Sequence, residues 1–75
     1  MAKAFSGKRV ADILVRDFGF RIVSQKGSHL KLKKKSSRGE VITVVPLHRE
    51  LVTGALRGVL NLAQVDYKEF LKKAR

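Results

Sequence analysis

The chain has 75 residues, 44% of them hydrophobic and 31% charged, with no cysteine and a formal net charge of +11. That length admits one domain over 1–75 and no large internal substrate cavity, and the composition excludes a disordered tail, a disulfide scaffold and a Cys/His zinc module. Seventeen Lys and Arg against six Asp and Glu require a polyanion or an acidic partner to offset them.

The opening Met1–Ser6 carries a lysine but no apolar stretch behind it, which argues against a signal peptide. No window approaches the roughly 18 uncharged apolar residues of a membrane span, so a cytoplasmic protein without membrane contact is expected. Val10, Ile13, Leu14 and Phe18 then recur at helical spacing, with Ser6 as N-cap and Gly19 just past the end, and predict a helix over Gly7–Phe18. The period changes to two. Phe20–Gln25 reads as a strand, Lys26-Gly27 as a tight turn in which the glycine accepts positive φ, and Ser28–Lys34 as a second strand. Lys35–Gly39 forms the next turn and Val41–Val45 a third strand that Pro46 ends. Such short connections favour an antiparallel meander.

Leu51, Ala55, Leu56, Val59, Leu60 and Ala63 return to helical spacing, with Thr53 as the expected N-cap. Gly54 and Gly58 weaken this helix by about 1 kcal/mol each and are expected to let it approach the sheet closely. Asp66-Tyr67-Lys68-Glu69 has the form of a capping box that opens a short last helix, with Phe70 turned inward. The result is an α+β fold of order α-β-β-β-α, a three-stranded antiparallel sheet with helices on one face, plus a short C-terminal helix. The other face of the sheet is left open.

Alternation in the second strand places Ser28, Leu30 and Leu32 on one side and His29, Lys31 and Lys33 on the other. The leucines must meet the helices, so His29 stands among lysines on the open face. Between Arg21 and Arg49 there are eight Lys or Arg and a single acid, Glu40. A charge run such as Lys33–Lys35 on its own is compatible with a plain solvated face. A net +11 on so small a body favours phosphate binding through counterion release. The order of elements and the basic sheet match the double-stranded RNA-binding architecture. The strands lack the aromatic pair of a single-strand stacking platform, and there is no helix-turn-helix pattern with a polar recognition face.

RNA carries its own nucleophile, the 2′-hydroxyl, so cleavage needs a group to take that proton and cations to hold the charged phosphorane. His29 flanked by Lys31 and Lys33 supplies both in kind, with Lys26 and Ser28 as further phosphate contacts. Glu40 and Glu50 are isolated, so no carboxylate pair points to two-metal chemistry and no cofactor is expected. His48, the other histidine, is expected to cap the following helix, touch a phosphate or carry a second proton.

Taken in order, Gly19-Phe20, Lys26-Gly27-Ser28-His29, Val44-Val45-Pro46-Leu47-His48, Glu50-Leu51 with Gly54-Ala55-Leu56-Arg57, and Tyr67-Lys68-Glu69-Phe70 resemble the HicA toxin family. These are small ribonucleases of bacterial toxin–antitoxin modules, and the resemblance runs from about Ser6 to Leu71. It implies a double-stranded RNA-binding-like fold, mRNA cleavage without metal, His29 as the catalytic residue, and a HicB-type antitoxin that covers the active surface. Two positions depart from the family pattern: Ala55 replaces a common Thr, and Leu30 stands where a second histidine is frequent. A non-catalytic RNA-binding module is the alternative reading of the same charge and fold. A third reading is an interaction protein whose basic face meets an acidic partner.

Overall fold

A computed structural model describes residues 4–74; the reading of Met1–Lys3 lies outside the described residues. The elements run α1 (Gly7–Phe18), β1 (Arg21–Lys26), β2 (His29–Ser36), β3 (Gly39–Pro46), α2 (Thr53–Ala63) and α3 (Tyr67–Lys73). The strands form one antiparallel sheet in the order β1-β2-β3. Helix α1 has the predicted bounds because both stop signals act. The Ser6 hydroxyl accepts from the Arg9 N–H, and Gly19 at φ 77° turns its own N–H back to the Leu14 carbonyl.

The core lies between the sheet and the helices. Leu30 and Leu32 of β2 and Val41 and Val45 of β3 meet Val10, Ile13 and Leu14 of α1 and Leu56, Val59 and Leu60 of α2. The one buried polar side chain among the described residues, Thr43, donates its hydroxyl proton to the Val59 carbonyl at 2.8 Å and so ties β3 to α2. Phe70 is fully buried with its ring edge-on to Phe5 at 5.4 Å and stacked on Phe18 at 6.5 Å, which packs α3 against α1.

Several local expectations change. The first hairpin turns on Gly27-Ser28, with Gly27 at φ 57°, so β1 keeps Lys26 and β2 begins at His29. Ser28 is therefore an exposed turn residue and does not point inward as alternation suggested. Strand β1 does not alternate at all: every residue is exposed, and the register shifts between Ile22 and Ser24 so that Val23 forms a bulge. The second turn is tighter than expected, since Lys35 and Ser36 pair with Glu40 and Gly39 inside the sheet.

At α2 the N-cap is Val52, without a side-chain hydrogen bond, and Thr53 is the first helical residue. The physical reason is a short bridge. Leu51 pairs with Phe5 and donates its N–H to the Phe5 carbonyl at 2.8 Å, which holds the chain extended up to Val52. Gly54 and Gly58 do not approach the sheet; a Cβ on either would meet nothing within 4 Å. Gly58→Ala is accordingly expected to stabilise the protein by about 0.5–1 kcal/mol, because alanine fits the helix and loses less entropy on folding. Thermal unfolding followed by circular dichroism checks this as a rise of roughly 2–8 °C.

Candidate nucleic-acid interface

Burial of Leu30 and Leu32 turns His29, Lys31 and Lys33 to the uncovered face of the sheet. Pairing then sets three rows across it. Lys26, His29 and Pro46 form the first row, Ser24, Lys31 and Val44 the second, and Arg21, Lys33 and Ile42 the third. The first row lies at the end of the sheet that carries the Gly27-Ser28 turn. There the Leu47 N–H donates to the Ser28 carbonyl at 2.6 Å, and the Gly7 N–H donates to the His48 carbonyl at 2.9 Å. The structure thus gathers Lys26, Ser28, His29 and the loop bearing His48 at one end, with Lys31 one row further in.

His29 and His48 are both exposed. Among the described residues neither ring makes a side-chain hydrogen bond or an ion pair, and Lys26 and Lys31 carry no ion pair. No carboxylate orients the imidazole of His29, so its direction is set by the strand and by whatever binds. His48 does not cap α2 through its side chain; its backbone carbonyl serves the start of α1 instead.

The Lys33–Lys35 run is not one stripe. Lys33 lies 3.6 Å from Glu40, Lys34 lies on the other side with its ammonium 5.3 Å from the centre of the Phe20 ring, and Lys35 is paired in register with Glu40. Arg21 also reaches Glu40, at 3.9 Å. Of the predicted contacts, Lys33 therefore sits two rows from His29 and beside a carboxylate.

Two features of the face escaped the sequence reading. Arg21 and Ser24 of β1 belong to it, hidden by a strand without alternation. Ile42 and Val44 are about two-fifths exposed on it, so its β3 edge is apolar beside the basic residues of β1 and β2. The signal was present in Val41-Ile42-Thr43-Val44-Val45, which is apolar at both strand parities. Arg57 has a structural partner, its guanidinium 4.2 Å from the centre of the Tyr67 ring, and so links α2 to α3.

An open groove of about 530 Å³ lies on the helix side between α1 and the sheet, lined by residues such as Lys8, Ile22, Leu30 and Leu47. None of the predicted site residues lines it. A polymer backbone needs an exposed, charged surface more than a pocket, so the chemistry and not the concavity marks the site. Among the described residues no three His, Cys, Asp or Glu side chains gather as a metal site would need, and no helix is long and apolar enough to cross a membrane.

A protein-family model described as HicA toxin of bacterial toxin–antitoxin matches residues 7–65, from the first residue of α1 to just short of α3. No curated protein matches the chain significantly.

Proposed function

The chain belongs to the HicA toxin family, the toxin side of bacterial toxin–antitoxin pairs, and from that premise we propose that it is an endoribonuclease that cuts mRNA on its open sheet face with His29 as the proton-transfer group. The family implies a HicB-type antitoxin as its protein partner. The observation that carries the proposal is the first row of the sheet, where an exposed imidazole stands directly opposite Lys26 and one row from Lys31.

An imidazole exchanges protons near neutral pH. His29 accepts the proton of a ribose 2′-hydroxyl as that oxygen attacks the adjacent phosphorus. The bond from phosphorus to the 5′-oxygen breaks, and the leaving oxygen takes a proton from the imidazolium or from water. The products are a 2′,3′-cyclic phosphate and a 5′-hydroxyl. Lys26 and Lys31 hold the non-bridging oxygens as charge builds on them, and Ser28 donates a hydrogen bond from the turn. His48 reaches the same phosphate region from its loop, and Lys33 meets the flanking backbone. A net charge of +11 opposes self-association, so the free toxin is a monomer that works on mRNA in the cytoplasm.

Incubation of the purified chain with a labelled RNA of defined sequence in EDTA tests this directly. Shortened products that carry cyclic phosphate ends are expected. An RNA that is retarded on a gel but never cut would instead favour a non-catalytic binding module. Salt-sensitive binding to acidic protein without RNA affinity would favour the interaction protein.

A further inference from the structure

Glu40 is the single acid between Arg21 and Arg49. One of its carboxylate oxygens lies 3.6 Å from the Lys33 ammonium and the other 3.9 Å from the Arg21 guanidinium. Two oxygens held by two separate cations is the arrangement in which the non-bridging oxygens of a phosphate diester are also held. The three side chains are 54% exposed for Arg21, 27% for Lys33 and 45% for Glu40, so a bound polyanion reaches all of them. Exposed pairs at such distances add little to stability, which leaves the fold with small use for this one.

We propose that Arg21 and Lys33 form a subsite for an RNA backbone phosphate, that Glu40 is its resident occupant, and that RNA must displace the carboxylate to bind there. The inference rests on the reading of the open face as an RNA surface. Lys33 lies four positions along β2 from His29, about 13 Å. The subsite therefore holds flanking backbone and not the reacting phosphate, so Glu40 governs how tightly RNA binds and not how fast it is cut once bound.

The test is binding of a 2′-O-methyl RNA of about a dozen nucleotides, which lacks the nucleophilic hydroxyl, across a series of salt concentrations. Glu40→Gln is expected to bind about three- to tenfold tighter near 0.1 M salt, with a log–log salt slope steeper by roughly one. Cleavage of unmodified RNA by the same variant is expected to show a lower KM and an unchanged kcat. Glu69→Gln alters net charge equally but lies on α3, where Glu69 pairs with Lys72 at 3.3 Å. It is expected to change affinity less than about twofold. In an Arg21→Ala/Lys33→Ala background the Glu40 substitution is expected to add nothing. Equal gains from Glu40→Gln and Glu69→Gln would reduce the effect to bulk charge and overturn the subsite, as would no gain from Glu40→Gln while the parent binds. A parent that fails to bind RNA at any salt would overturn the reading of the face beneath it.

Discussion

Replacing His29 with alanine is expected to slow RNA cleavage by about 10²–10⁴-fold, the range carried by one positioned proton-transfer group. It is expected to leave thermal unfolding within a few degrees of the parent. His29 is exposed and enters the sheet through its backbone, so truncation of its ring removes no core contact. The size of the loss separates two roles. A histidine that merely touches a phosphate contributes affinity, and its removal lowers binding with a shallower salt slope. A proton carrier leaves binding almost unchanged and removes the rate. Single-turnover cleavage of a defined RNA, measured beside binding of the same sequence with 2′-O-methyl sugars, distinguishes them. A loss below about tenfold would assign the proton transfer elsewhere. Expression of the variant is also expected to leave bacterial growth unarrested.

Much of the fold was legible because its signals are local. Ser6 and Gly19 bracket the apolar stripe of α1, and the structure ends the helix at those residues. Leu30 and Leu32 alternate with His29, Lys31 and Lys33, and burial follows that alternation. Asp66 accepts from the Glu69 N–H as its capping position required. Contacts that join distant residues left no such mark. The Phe5–Leu51 bridge, which moved the cap of α2 to Val52, depends on a separation of 46 residues. The bulge at Val23 lies on an edge strand whose residues are all exposed, and nothing in Arg21-Ile22-Val23-Ser24 announces it.

The candidate site divides in the same way. The side of the sheet on which His29 stands follows from strand parity. What surrounds each lysine does not. Lys31 and Lys33 look equivalent in sequence, yet Lys33 meets Glu40 across a diagonal that only the β2–β3 register creates. Lys34 belongs to the opposite face and lies over Phe20. Register converts a uniform charge run into one open cation, one paired cation and one stacked on an aromatic ring.

Gly7→Ala is expected to damage the protein more than any surface substitution. Gly7 is the first residue of α1, is buried, and donates its N–H to the His48 carbonyl. A Cβ there would stand 1.8 Å from the Pro46 carbonyl oxygen, 2.8 Å from its carbon and 2.9 Å from the Leu47 Cα. All three are backbone atoms, so no side-chain rotation relieves the clash, and either α1 or the 46–48 segment must move. Overpacking of this kind costs about 3 kcal/mol, a large share of the 5–15 kcal/mol that holds a small domain together. Thermal unfolding is expected to fall by roughly 12–24 °C, whereas the same glycine-to-alanine change at position 58 raises it. The damage also reaches the site. The displaced segment carries His48, and its Leu47 N–H holds the Ser28 carbonyl beside His29. Below its melting temperature the variant is therefore expected to cut RNA more slowly than the parent, with the Leu47 backbone amide, hydrogen-bonded to Ser28 in the parent, exchanging faster with solvent. A Gly7→Ala protein that melts within about 2 °C of the parent would mean that α1 and the His48 loop are not packed together as described, since a contact this close has no inexpensive relaxation.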